Sequence, residues 1–208
     1  MTAISDKEIQ DTLRPYGFWP DSGQCATIRA YIPLLLRWNQ KISLTSVVDP
    51  IRILRFHFGE SLFSARSVPI EKGRLADVGS GSGFPGVALG IALPELSISL
   101  IESNSKKAAF LAELARELNL RQVEVIRQRF EELLSNASKF DYLTARALGN
   151  YRGLLGWAHG ILGHSGRVVL WLGEDECKRV STDPSFTWRE PVHIPGSKRR
   201  FILVGAPS

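Results

Sequence analysis

Cysteine is scarce in this chain: there are two in 208 residues, Cys25 and Cys177, far apart and outside any Cys-x-x-Cys spacing. That excludes a disulfide framework and a cysteine-based zinc site, and leaves both as buried or incidental thiols. Long apolar runs are missing too. The longest near-apolar piece, Gly86 to Leu93, falls far short of the roughly 18 to 20 residues that cross a bilayer. The start, MTAISDKEIQD, is polar and acidic and does not read as a secretory signal, so a cytoplasmic protein with no membrane partner is expected. The four histidines, His57, His159, His164 and His193, show no ligand spacing, so no metal is expected. Internal repeats and low-complexity segments are absent as well.

The net charge of +5 is modest but unevenly spread. Basic residues outnumber acidic ones eight to six over 1–70 and thirteen to nine over 121–208, while 71–120 holds five against six. Basic ends around a neutral middle suit a polyanionic partner, although a solvated surface explains a charge of this size nearly as well.

The first 65 or so residues read as helices. Ser5-Asp-Lys-Glu8 is a capping box, and Asp21 or Ser22 opens a second helical pattern through Ile28, Ile32, Leu35, Leu36 and Ile42. Asp49-Pro50 supplies an N-cap and a first-turn proline for a helix with Ile51, Leu54, Phe58 and Leu62 on one face. Pro69 and Gly73 mark a join, so an N-terminal helical extension is placed at 1–70 and the core at 71–208.

From Arg74 onward strands alternate with helices: LADVG, a helix from about Phe84 to Ala92, SISLIE, a helix from about Ser105 to Asn119, VEVIRQ, and a short helix near Glu131 to Leu134. FDYLTA, a helix from about Asn150 to Leu162, and GRVVLWL follow. This order builds a mostly parallel sheet covered by helices. The chain closes on two β-like runs, SFTWREPVHI and RRFILVG, joined by a hairpin over Pro195 to Arg200. The expected fold is therefore α/β and Rossmann-like, with seven strands and a C-terminal hairpin.

After the first strand come Gly79, Gly81 and Gly83. Glycine there lets the chain turn sharply and bring backbone N–H groups close to a ligand, while the next helix N-terminus favours an anion and Pro85 suits its first turn. Two registers fit. From Gly81, GSGFPG matches a dinucleotide fingerprint with Glu102 at 21 residues on; from Gly79, it is the GxGxG loop of methyltransferases. Glu102 serves a ribose diol in both. The second register is favoured because Gly79 is the first glycine after the strand, and because Asp77 sits awkwardly beside a pyrophosphate yet comfortably beside a sulfonium cation. A nicotinamide-dependent oxidoreductase remains the rival enzyme, without a Tyr-x-x-x-Lys to support it; a non-catalytic RNA-binding ribosome-assembly factor is the rival outside enzymes.

With that loop in place, the chain resembles the bacterial 16S rRNA guanine-N7 methyltransferase family, also called glucose-inhibited division protein B. The matching segments are LLLRWNQKISLTSVVDP (34–50), ILRFHFGESL (53–62), LADVGSGSGFPGVALGIALPE (75–95), LIESNSKKAAFL (100–111), QRFEEL (128–133), TARAL (144–148) and GRVVL (166–170). The resemblance implies a class I methyltransferase core behind a helical extension, with S-adenosyl-L-methionine as donor, S-adenosyl-L-homocysteine as product, and 16S rRNA or the small ribosomal subunit as partner. A monomer is expected.

It also implies roles. Gly79 and Phe84 meet the donor, with Gly81, Gly83 and Gly86 shaping the turn; Glu102 takes the ribose; Phe130 and Glu131 bracket the adenine; Arg146, after the fourth strand, is the catalytic-site positioning residue, able to reach the donor carboxylate or an RNA phosphate. A surface ion pair is the bland alternative for Arg146. RNA contacts are expected from Arg127, Arg129, Lys139, Lys198, Arg199 and Arg200. Two departures stand out: Phe130 where the family commonly carries a smaller residue, and Trp171-Leu172-Gly173 where many members carry a lysine, whose role is either absent here or taken by Lys178 or Arg179. No general base is expected, because guanine N7 bears a lone pair and no proton. His57, Asn39 and Thr45 stay unassigned, with a structural role favoured for Thr45.

Overall fold

The computed structural model describes residues 4–68, 70–133 and 140–208. The sequence-predicted capping box at Ser5 forms, and of the two starts left open for the second helix Asp21 is the N-cap. Ser5 and Glu8 cap α1 (Asp6–Leu13), and Asp21 and Gln24 cap α2 (Ser22–Asn39), each satisfying backbone N–H groups that have no partner inside the helix. Cys25, Ile28, Tyr31, Ile32 and Leu35 are the buried stripe of α2. This helix stops at Asn39, short of the Ile42 that the apolar pattern suggests. The Asn39 carboxamide turns to the following loop, where its oxygen accepts from Leu44 and Thr45 N–H and its nitrogen donates to the Thr45 carbonyl.

Asp49 caps α3 (Pro50–Ile53), with Pro50 in the first turn as expected. The helical path then widens into a π-helical stretch, Leu54–Gly59, before α4 (Glu60–Leu62) and α5 (Ser64–Ser67). Gly59 is required there, since a Cβ would lie 2.5 Å from the Tyr16 ring.

The core strands are β1 (Gly73–Val78), β2 (Leu96–Ile101), β3 (Val123–Ile126), β4 (Phe140–Arg146) and β5 (Leu162–Gly173), all parallel, and β8 (Arg200–Pro207), antiparallel to β5. The helices α6 (Gly86–Ala92), α7 (Ser105–Glu117), α8 (Tyr151–Ile161) and α9 (Glu174–Val180) alternate with them. Two short strands, β6 (Phe186–Trp188) and β7 (Val192–His193), both pair with β8. The sheet order is β3-β2-β1-β4-β5-β8-β6, with β7 beside β8.

Four details differ from the sequence reading. The sheet has eight strands among the described residues, not seven, because SFTWREPVHI breaks into β6 and β7 around Pro191, which lacks the N–H a continuous strand needs. Helix α9 was not anticipated, though its acidic first turn and basic last turn suit the helix dipole. Helix α6 begins at Gly86, after a cis Phe84–Pro85 peptide bond. A 3₁₀ turn, Phe130–Glu132, replaces the short helix expected to Leu134, a residue outside the described ones.

Alternation along the strands divides the core. Val169 and Trp171 face the layer of α2, α6 and α7, while Val168, Leu170 and Leu172 face α8 and α9. Residues of the N-terminal helices, Tyr31 and Phe58 among them, share one apolar cluster with Leu75, Ile98 and Leu100 of the sheet. Each such side chain, fully buried, contributes about 1.5–3 kcal/mol.

Candidate donor-binding site

The crevice lies beyond the carboxyl ends of β1, β2 and β4, where an open parallel sheet places its ligands. Gly79, Gly81 and Gly83 have φ values of +71°, +55° and +87°, a backbone region that penalises any Cβ. Gly79 and Ser80 N–H groups donate to the Ile101 carbonyl at 2.9 and 3.3 Å, and Gly83 N–H donates to the Ser80 carbonyl at 2.7 Å. The loop is thus wound tightly onto the end of β2.

Glu102 sits one residue past β2. Its carboxylate accepts from Gly81 N–H at 2.9 Å and Asn104 N–H at 2.8 Å, which fixes its direction while leaving lone pairs for two hydroxyls. Asp77 behaves otherwise than expected. Fully buried, it accepts from Thr144 Oγ1 at 2.7 Å and Gly86 N–H at 3.2 Å, so it holds the loop from beneath and does not face a sulfonium. Burial pushes its pKa up to about 6 despite those hydrogen bonds.

A cavity of about 290 Å³ opens against this loop, walled by Gly79, Val78 and Ile101 on one side and Gln128, Phe130 and Glu131 on the other. Gly79, Phe130 and Glu131 therefore meet in one place, joined by Arg129. Phe130 reaches the cavity from a buried position, its ring 5.5 Å from that of Trp157. Ser103, Gln128 and Asn150 also line it and were missed in the sequence. Their signal was positional: Ser103 and Gln128 sit just after β2 and β3, and Asn150 caps α8 at the end of the loop after β4, where ligand contacts concentrate. A larger depression of about 360 Å³ between α8 and α9 touches the loop after β4 but not the glycine loop.

Phe84 lies elsewhere, away from the lining of this cavity. Its ring is surrounded by Tyr31, His57 and Phe58, at 5.2, 5.0 and 5.0 Å between centroids. Arg146 ends β4 with its side chain turned toward the π-helical stretch: Nη2 donates to the Phe56 carbonyl at 3.0 Å and lies 3.3 Å from Glu60 Oε2. Nη1 is buried without a hydrogen-bond partner among the described residues. Arg200 meets the other oxygen of Glu60 at 2.7 Å.

The remaining basic candidates lie toward opposite ends of the strand order, Arg127 and Arg129 after the edge strand β3 and Lys198 to Arg200 at the start of β8. Arg127 and Arg129 are exposed just beyond β3, and the turn carrying Lys198 and Arg199 leads into β8, whose first residue, Arg200, pairs with Gly173 at the carboxyl end of β5. Arg199 is engaged by Glu174 and Asp175. Lys178 and Arg179 pair with Glu174 and Glu176 within α9. Lys139 falls outside the described residues. Among the described residues no group of three or more His, Cys, Asp or Glu is placed to hold a metal, and no helix is long and apolar enough to cross a membrane.

The sheet order, the glycine turn and the acid after β2 define an S-adenosylmethionine-dependent methyltransferase of class I. Solved structures agree on the fold: a SAM-dependent methyltransferase from Aquifex aeolicus superimposes with a TM-score of 0.64 over 77% of this chain and 94% of its own, at 13% identity. A precorrin-6y C5,15-methyltransferase from Geobacter metallireducens gives 0.60 over 71% and 87%, at 15% identity.

Sequence narrows the class. The family model described as rRNA small subunit methyltransferase G matches residues 24–200. Proteins named ribosomal RNA small subunit methyltransferase G from Chloroflexus aggregans and Xylella fastidiosa strain 9a5c are 31% and 39% identical, over 98% and 84% of this chain and 90% and 84% of theirs. The chain belongs to the rRNA small subunit methyltransferase G family.

Proposed function

We propose that this enzyme transfers the methyl group of S-adenosyl-L-methionine to N7 of a guanosine in 16S rRNA, guanine-527 by the family resemblance. What supports this reading is the family match together with a donor cavity lined by Arg129, with the exposed Arg127 beside it. His57, the imidazole nearest Arg146, has its pKa lowered to about 4 by burial and then by Arg146, which makes it a poor proton acceptor. Guanine N7 needs none.

When bound, the donor supplies an electrophilic methyl on a sulfonium. The N7 lone pair forms the new bond as the carbon–sulfur bond breaks; the thioether leaves neutral and the positive charge passes to the purine. The chain's own part is placement and electrostatics. Gly79 admits the nucleoside, since a Cβ there would lie 3.2 Å from Leu148 in a strained conformation. Glu102 orients the ribose and Phe130 and Glu131 border the adenine, while Arg146, held by Glu60 and the Phe56 carbonyl outside the cavity lining, reaches the methionine carboxylate or an RNA phosphate only by turning its buried Nη1 out. The cation Arg146 is offset by Glu60, which limits its repulsion of the charged product.

Tritiated methyl transfer to small subunits and to naked 16S rRNA, followed by borohydride and aniline cleavage, tests the reading. Label in 7-methylguanosine with a single cleavage is the expected result. Label in another nucleoside, or none in RNA, overturns it.

A further inference from the structure

The loop between α2 and α3 reaches the glycine loop through a chain of contacts that donor chemistry alone does not explain. Asn39 fixes the backbone of Leu44 and Thr45. Thr45 Oγ1 then accepts from Val47 N–H at 3.0 Å and lies 2.8 Å from His57 Nε2. The His57 ring stacks on Phe84, 5.0 Å between centroids at 28°. Phe84 is 6% exposed, and Tyr31 and Phe58 close its other sides. Tyr31 Oη also donates to the Ser82 carbonyl inside the glycine loop.

The geometry assigns Thr45 and His57 as positioning residues for methyl-donor binding: they lock Phe84, and through it the Gly79–Gly83 loop, from the face of the sheet opposite the donor cavity. Phe84 belongs to the apolar cluster of α2 and α6, whereas the cavity walls Val78, Ile101 and Phe130 belong to the cluster of α8 and α9. A loop with three positive-φ glycines in five residues has little stiffness of its own, so its shape depends on what holds it. Holding it before the donor arrives avoids an ordering cost on binding. The π-helical stretch matters here, because it carries both His57 and Phe58 to the same ring.

The inference rests on the donor reading of the glycine loop, and the test separates the two. Binding of S-adenosyl-L-homocysteine is measured by calorimetry for the wild type, Thr45→Val, Thr45→Ser, His57→Phe and Gly81→Val. Thr45→Val keeps shape and removes the hydroxyl. Its Kd and donor KM are expected to rise about tenfold, the equivalent of one ordinary hydrogen bond, with kcat within about twofold. Thr45→Ser is expected to restore binding. His57→Phe keeps a ring over Phe84 without the nitrogen and should match Thr45→Val, which covers the case in which that variant fails to fold. Unchanged affinity in Thr45→Val and His57→Phe, or failure of serine to rescue, overturns the inference. Normal binding by Gly81→Val instead overturns the donor reading beneath it.

Discussion

Glu60 holds two guanidinium groups at once, Arg146 through Oε2 at 3.3 Å and Arg200 through Oε1 at 2.7 Å, with its side chain 2% exposed. Its own backbone carbonyl accepts from Trp171 Nε1 at 2.7 Å. Burial raises the Glu60 pKa and lowers that of Arg146, in each case against the attraction of the partner charge. Such a cluster contributes little net stability over an apolar substitute, but removing one member strands the others. Glu60→Gln should therefore cost about 3 kcal/mol, read as a lowered urea midpoint at unchanged slope, and should depress methyl transfer by letting Arg146 drift. An undisturbed midpoint would show that water already compensates the pair.

Gly86 gives a sharper steric prediction. A Cβ there would lie 2.6 Å from Leu100 Cδ2 and 2.8 Å from Asp77 Oδ2, so Gly86→Ala must displace the carboxylate that caps α6. A loss of about 1–3 kcal/mol is expected, together with weaker homocysteine-product binding. Gly156 provides the contrast: it lies exposed inside α8, with nothing within 4 Å of its would-be Cβ. Gly156→Ala should raise stability by about 0.5–1 kcal/mol and leave binding alone, through helix propensity only. Thermal melts of both variants check the pair.

What the sequence made legible was local. Ser5 with Glu8, Asp49 with Pro50, and the three glycines after a short apolar strand are signals written within a few residues, and each appears where predicted. Glu60 was invisible by the same logic. Its role depends on contacts to Arg146, Trp171 and Arg200, which come together only when the sheet closes. Asp77 was placed correctly within its strand, just before the loop, but given the wrong neighbours, because one residue of register decides whether a strand-end carboxylate points into the crevice or under the loop. Phe84 likewise follows the loop in sequence yet packs on the far face.

Acid titration should expose His57. Its folded pKa, about 4, lies below the 6.5 of an unfolded histidine, so the stability it contributes is full above pH 6.5 and is lost as pH falls toward 4. Asp77 acts in the opposite sense. Its folded pKa of about 6 exceeds the ordinary 3.8, so its contribution is full below pH 3.8 and is lost as pH rises through 6. Between pH 4 and 6.5 the two oppose each other, which flattens the wild-type profile. His57→Gln removes one side. The variant should melt below the wild type at pH 7.5, and the gap should narrow on acidification to pH 4.5, at about 2–4 °C per kcal/mol for a chain of this length. A gap that stays constant would mean that the imidazole titrates normally in the folded state.

RNA binding should separate the three basic residues of the last turn by their existing partners. Arg199 is paired with Glu174 and Asp175, and Arg200 with Glu60, so a phosphate must compete with a carboxylate for either. Lys198 is exposed and has no ion pair among the described residues, in a turn at the carboxyl edge of the sheet. Its ammonium can exchange a condensed counterion for a phosphate without breaking anything. Lys198→Ala should accordingly weaken binding to 16S rRNA uniformly across sequences and reduce the slope of log affinity against log salt by about 1. Arg199→Ala should change that slope less, because it also frees two carboxylates that repel the backbone. Filter binding across a salt series decides it: equal slopes for Lys198→Ala and the wild type would place the RNA path away from this turn and toward Arg127 and Arg129.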